Sequence, residues 1–227
     1  MIQPVIIQFL KELTKNNNRE WFSENKQFYV EAKEAFENVV AELISIIGAY
    51  DKEITELQPK DCIFRIYRDV RFSKDKTPYK THFDAFIAKR GGRKSVYAGY
   101  YIHVKHGASL FGGGVYAPIP EILKNLREEI YNFPEEFKAI INAPEFKEYF
   151  GSLYLEKLKY APKGFPADFP DIELLKYKSY VVTHPLTNRE LASKNITGEL
   201  KGMIRTLYPF NAFLNRAIDF KEELPDL

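Results

Sequence analysis

Residues 64–82 concentrate cations at a spacing that suits the recognition of an anion. Three arginines lie at intervals of three residues, and three lysines follow them around one proline: Arg65, Arg68, Arg71, Lys74, Lys76 and Lys80. A guanidinium group binds a carboxylate or phosphate through two parallel hydrogen bonds, and an ammonium group adds a compact charge. Residues 63–66 have strand character, so we expect Arg65 on a strand. Arg68 and Arg71 then lie on the loop that leaves it and can converge on one point.

The charge of this chain is unevenly distributed. Residues 65–105 hold eleven lysines and arginines against three aspartates, a net charge of +8, whereas the whole chain of 227 residues carries +2. This excess of positive charge has two interpretations: the balancing anion is a bound ligand, or it belongs to the protein itself. In the second interpretation Asp69, Asp75 and glutamates of the first long helix take up the arginines. The sequence leaves both interpretations open.

Two further groups complete the candidate ligand-binding site. Lys76, Tyr79 and Lys80 lie in a turn that Asp75 and Pro78 favour, so a structured loop would present them rigidly. A glycine run, Gly112 to Gly114, precedes Tyr116 and predicts a loop before a helix. The backbone amides of such a loop can bind an oxyanion. The alternative is a strand end that requires positive φ or close approach of another backbone.

His103 and Tyr101 are the residues that would move protons if the protein is an enzyme, which the sequence does not decide. His82, His103 and His106 fall in the same basic region, but their spacing is poor for a metal site and no carboxylate besides Asp84 joins them. We therefore predict no metal site, and the sequence names no cofactor.

Hydrophobic periodicity predicts the helices and strands that position these residues. Helical patterns cover residues 4–13 and a second stretch of about 30 residues that ends at Gly48. Further helical patterns cover residues 120–131, 134–141, 144–150 and most of 188–220, where Pro209 breaks or kinks the helix. Strand patterns cover residues 83–88, 96–104 and 177–183, and residues 90–93 read as a hairpin turn. We predict one α+β domain over residues 1–227, in which a mainly antiparallel sheet from the central third packs against N-terminal and C-terminal helices.

Composition limits the class of protein. Cys62 is the one cysteine, which excludes an internal disulfide and a multi-cysteine zinc site and fits a reducing compartment. No secretory leader and no apolar run of about 18 residues stands out, so we expect a soluble cytoplasmic protein without a membrane partner. No nucleophile elbow or carboxylate dyad supports acyl transfer or glycoside hydrolysis.

Five motifs together resemble a known family, the conserved hypothetical proteins of bacteria and fungi grouped as domain of unknown function 2461. They are Trp21-Phe22 with Asn25, residues 64–73, residues 75–80, Gly99-Tyr100-Tyr101, and residues 112–116 with Pro118. The resemblance covers nearly the whole chain and implies one α+β domain. It implies no activity, cofactor or catalytic residue.

Two functional hypotheses follow from the residues. In the first, the Arg/Lys-rich pocket binds a phosphorylated or carboxylated small molecule, with Arg68 and Arg71 holding the anion. In the second, a non-enzymatic module binds nucleic acid or an acidic protein through a basic face that includes residues 90–94. Affinity for nucleic acid would fall steeply with ionic strength, which separates the two hypotheses.

Overall fold

Helices occupy both ends of the chain, three strands lie in its central third, and the fourth strand lies beyond the central third that was predicted to supply the sheet. The structure, a computed structural model, describes residues 2–154 and 156–222. The N-terminal helices are α1 (Pro4–Lys15), α2 (Arg19–Glu24), α3 (Lys26–Gly48) and, after a 3₁₀ turn at Lys52–Glu56, α4 (Pro59–Cys62). The strands β1 (Phe83–Ile87), β2 (Gly99–Val104) and β3 (Ser109–Val115) follow. The remainder contains α5 (Pro120–Asn132), α6 (Pro134–Ile141), α7 (Pro144–Phe150), α8 (Ile172–Leu175), β4 (Tyr180–Leu186), α9 (Asn188–Leu191) and α10 (Ile196–Glu222).

The four strands form one antiparallel sheet in the order β1-β2-β3-β4, so the predicted α+β class is confirmed. By its contacts the chain divides into two compact units. The first comprises Met1–Ser95, Tyr101–Phe111 and Pro185–Lys201, and the second Val96–Tyr100, Gly112–His184 and Gly202–Leu227.

Aromatic rings build the core of the first unit. The ring of Phe83 on β1 stacks with Phe9 of α1 at 5.9 Å between centroids and with Phe36 of α3 at 5.3 Å. Ala85 and Ile87 point to the same side of β1 and are also buried. Tyr79 stacks on Phe22 at 4.0 Å. These contacts fix which face of β1 turns towards the helices.

In the second unit, helix α10 packs against glycines of β3. Any side chain at Gly112 would collide with the backbone of Val182, and one at Gly113 would collide with the carbonyl of Gly99 and with Leu207 of α10. The buried side chain of Asn211 on α10 donates to the same Gly99 carbonyl at 3.1 Å. Glycine is therefore required here because neighbouring strands and α10 approach β3 closely.

The structure corrects several boundaries predicted from the sequence. Residues 111–115 belong to β3, so the loop interpretation of the glycine run is wrong and its alternative, a strand end approached by another backbone, matches the structure. The first long helix is interrupted at Asn25, whose side chain donates back to the Trp21 carbonyl at 2.9 Å. Helix α10 continues through Pro209 without a break, and β4 begins at Tyr180, three residues later than predicted. Pro185 is tolerated because β4 is an edge strand.

We predict that Gly112→Ala lowers the free energy of unfolding by about 2 kcal/mol or more, because the added methyl group overpacks the sheet. Gly107→Ala is the matched control: Gly107 has φ +75° and no neighbouring atom within 4 Å, so it should cost only about 1 kcal/mol of backbone strain. Urea unfolding curves measure both values. Equal effects would contradict the close approach at Gly112.

Candidate functional site

The loop that follows the arginine motif binds its own cations. Arg68 Nη1 lies 2.6 Å from Asp75 Oδ2 and 3.1 Å from the Thr77 carbonyl, and it also contacts the Thr77 hydroxyl. Asp75 accepts the Thr77 amide as well, at 2.9 Å. These bonds lower the pKa of Asp75 to about 2, the Thr77 amide most and Arg68 next. The charge of Arg68 is therefore used to close the loop.

Arg71 and Lys76 are also engaged inside this loop. The Arg71 guanidinium binds both carboxylate oxygens of Asp69, with Nη2 to Oδ2 at 2.7 Å, and Lys76 Nζ donates to the Val70 carbonyl at 3.0 Å. The bond from Arg71 lowers the pKa of Asp69. For Arg68 and Arg71 the geometry thus matches the internal ion-pair interpretation of the sequence.

A groove of about 470 Å³ lies beside the loop in the first unit. Its lining combines aromatic rings and aliphatic side chains: Tyr29, Ile63, Phe64, Ile66, Tyr67 and Phe83. Ile66 and Phe83 are buried, and Tyr67 remains 46% exposed. Phe64 donates its backbone amide to the Asp84 carbonyl at 3.0 Å, which ties this wall of the groove to β1.

Five cations and one carboxylate line the same groove: Lys33, Lys60, Arg65, Arg93, Lys94 and Glu37. Glu37 binds Lys33 at 2.6 Å. Arg93 donates to the backbone carbonyl of Lys60 and so connects the turn at Gly92–Lys94 to α4. In residues 2–154 and 156–222 we find no ion pair of Lys60, Arg65 or Lys94, whose side chains are exposed. The groove, which we call the basic groove, therefore presents net positive charge over an apolar floor.

A second polar arrangement, the Asp84 cluster, lies around one buried carboxylate. Lys80 Nζ is 3.3 Å from Asp84 Oδ1, and His82 Nε2 is 3.8 Å from Asp84 Oδ2. The Tyr101 hydroxyl lies 3.5 Å from Asp84 Oδ2 and 3.3 Å from His103 Nδ1. The rings of His82 and His103 are 4.3 Å apart between centroids. Tyr101 and His103 share one face of β2, since side chains two apart point to the same side of a strand, and the pairing of β1 with β2 brings Asp84 to them. Lys80 and His82 come from the segment that leads into β1.

Burial sets the proton affinities in the Asp84 cluster. Burial lowers the pKa of His82 and of His103 to about 4; Lys80 and Lys105 act in the same direction on both. Burial also raises the pKa of Asp84, and the positive charge of Lys80 acts in the opposite direction. Burial raises the pKa of Tyr101, and the negative charge of Asp84 raises it further. At neutral pH both imidazoles are therefore uncharged and Tyr101 keeps its proton.

The other residues of the predicted site lie elsewhere. Tyr79 is buried against Phe22, and its backbone exchanges two hydrogen bonds with the side chain of Asn17, at 2.9 Å and 3.1 Å. Gly112, Gly113 and Gly114 are buried in β3 of the second unit, and Tyr116 beyond that strand is 74% exposed. Of the predicted set, Lys80, Tyr101 and His103 come together, and Arg65 lies in the basic groove.

The sequence reasoning omitted two groups of functional candidates. Asp84 and His82 were not assigned to the site, although pairing of β1 with β2 brings them to Tyr101 and His103. Lys60 gave no local signal, because its place in the groove depends on the contact between α4 and the turn at Gly92–Lys94.

Two negative results concern only the described part of the chain. Among residues 2–154 and 156–222, no three His, Cys, Asp or Glu side chains are arranged to hold a metal ion. The helices described here include none with the length and apolar character needed to cross a bilayer.

The fold and these two arrangements define an α+β protein with a basic groove and a half-buried acid–base cluster. The family model described as conserved hypothetical protein (DUF2461) matches residues 5–213, so the chain belongs to this family. Searches of curated proteins and of solved structures gave no match.

We predict that Arg68→Ala lowers the thermal midpoint of unfolding by about 2–4 °C, because it removes the bonds that hold Asp75 and Thr77 together. Arg71→Ala is the matched control, since it also removes one cation from the loop but breaks only a solvent-exposed pair. Its midpoint should equal that of the wild type. A larger loss in Arg71→Ala than in Arg68→Ala would contradict this assignment.

We also predict that stability falls as the pH is lowered from about 6.5 to about 4. The histidine pKa is 6.5 in the unfolded chain and about 4 for His82 and His103 in the fold, so the unfolded state binds protons first. Urea unfolding at a series of pH values measures this slope. Both His82→Gln and His103→Gln should flatten it relative to wild type, and His106→Gln is the control at an exposed position. An unchanged slope in both cluster variants would refute the prediction.

Proposed function

We propose that this protein binds a phosphorylated or carboxylated small molecule in the basic groove. The observation that carries the proposal is the lining of the groove, in which five cations and one carboxylate surround an apolar floor. Lys60, Arg65 and Lys94 come from three separate segments. A ligand bound among them would have its negative charge contacted from more than one side.

The size and floor of the groove support a particular kind of ligand. A volume of about 470 Å³ falls within the range of about 300–1,000 Å³ that small-molecule sites occupy. Tyr29, Phe64 and Tyr67 offer ring faces and edges on which a flat or apolar body can pack. We therefore expect an anion with an attached ring or hydrocarbon part, such as a nucleotide or an aromatic carboxylate, in preference to a bare phosphate.

Nucleic acid is the second candidate, because exposed rings interleaved with cations are also typical of single-strand binding. Tyr67 is 46% exposed beside Arg65, and Arg93 and Lys94 belong to the basic stretch at residues 90–94. Binding of an oligonucleotide would weaken by orders of magnitude between low and physiological salt. A small ligand with one or two phosphates would lose much less.

The test is a thermal-shift screen with nucleotides, sugar phosphates and aromatic and aliphatic carboxylates, followed by titration calorimetry. We expect at least one ligand to raise the unfolding temperature, and Arg65→Ala to weaken its binding about tenfold or more, as expected for loss of a charged hydrogen bond. Arg71→Ala is the matched control, because it removes the same charge from a residue outside the groove and should bind like wild type.

Two results would overturn the proposal. One is a screen in which no anion stabilises the protein at millimolar concentration. The other is a ligand whose affinity falls equally in Arg65→Ala and Arg71→Ala, since that would show a response to net charge and no site in the groove.

A further inference from the structure

The Asp84 cluster has a geometry that the basic groove does not explain. Asp84 lies on β1, and Tyr101 and His103 lie on one face of β2. Lys80 and His82 precede β1, and Lys105 directly follows the end of β2. The cluster meets the groove at Phe64, whose ring lines the groove and lies 5.1 Å from Lys80 Nζ.

The hydrogen-bond chain determines which nitrogen of His103 carries its proton. The Tyr101 hydroxyl has one hydrogen and two neighbours, Asp84 Oδ2 and His103 Nδ1. A carboxylate accepts hydrogen bonds only, so the hydroxyl donates to Asp84. His103 Nδ1 must then carry hydrogen and donate to the Tyr101 oxygen, which leaves Nε2 with a lone pair. The contacts of 3.3 Å and 3.5 Å are long, as such contacts often are before a ligand binds.

The surroundings favour a base that is neutral and lies close to positive charge. Burial and the two lysines keep His82 and His103 uncharged at neutral pH. Lys80 is shared with Asp84, whereas the Lys105 charge acts on both imidazoles without a carboxylate partner in the bonds we observe. A base next to ammonium groups suits a substrate that becomes more negative as it loses a proton.

We propose that the Asp84 cluster is a proton-transfer site for a small carboxylate or phosphate ester, with His103 Nε2 as the proton acceptor. The substrate anion lies by Lys80 and Lys105. A C–H or O–H bond next to the anionic group breaks, its proton moves to Nε2, and its electron pair stays on the substrate, where the lysines stabilise it. Tyr101 and Asp84 are positioning residues that hold the tautomer of His103.

Bromoacetate tests both the accessible nitrogen and the recognition of an anion. It is a small carboxylate, and displacement of its bromide by Nε2 forms an N–C bond that peptide mass spectrometry locates. Bromoacetamide is the neutral control reagent. At pH 6 we expect His103 to be alkylated about tenfold or more faster by bromoacetate than by bromoacetamide, because the ammonium groups attract the carboxylate.

Controls for this experiment lie in the same chain. Exposed His106 should show no preference of this size for bromoacetate, and Cys62 should stay unmodified because burial raises its pKa to about 12. Lys105→Gln should reduce the preference at His103 to near one, and Lys105→Arg should restore it. No modification of His103, or the same ratio of rates at His103 and His106, would overturn the proposal.

The tautomer is measured separately by long-range ¹H–¹⁵N correlation spectra of the labelled protein without ligand. We expect His103 with hydrogen on Nδ1 in the wild type and a shift towards the Nε2–H form in Tyr101→Phe, which keeps the ring and loses the hydroxyl. The exposed Tyr154→Phe should leave the spectrum of His103 unchanged. An Nε2–H tautomer in the wild type would refute the proposed role of Nε2. Neither measurement depends on a ligand of the basic groove.

Discussion

The stacking of Phe83 with Phe9 and Phe36 is the contact on which the position of the Asp84 cluster depends. It commits one face of β1 to the aromatic core, and the alternation of side chains along a strand then forces Asp84 to the opposite face. Pairing with β2 places Tyr101 and His103 beside it. The sheet thus separates an apolar side from a polar side over a few residues.

A second constraint separates the cations that are paired within the arginine loop from those that are open to a ligand. Arg68 binds Asp75 and Thr77 and holds the loop closed, and Arg71 forms a solvent-exposed pair with Asp69. Arg65 precedes the loop and remains in the groove. Three other cations of the groove come from α4 and from the turn at Gly92–Lys94. The bond from Arg93 to Lys60 and the close approach of Gly92 to the Asp61 backbone hold α4 and this turn together. Charge density along the sequence therefore did not locate the groove.

Local signals explain which parts could be predicted from the sequence. Prolines at the first turn gave the starts of α6 and α7 to the residue, and the apolar periodicity gave α1 and α3 with the end at Gly48. For the glycines of β3 the sequence left a loop and a strand end open, because the contacts that decide between them come from neighbouring strands and α10, which are distant in sequence. The same distinction applies to the candidate site. His103 and Tyr101 were proposed from their residue types, whereas Asp84 and Lys60 became candidates only through the contacts between distant segments.

The central claim is that anions bind in the basic groove and not at the arginine loop. Crystals soaked in bromide or selenate and measured for anomalous scattering would test it most directly, because the positions of bound anions are then observed without a choice of ligand. The account predicts anomalous peaks within hydrogen-bonding distance of Arg65, Lys60 or Lys94. Peaks confined to Arg68 and Arg71, with the groove empty, would contradict it.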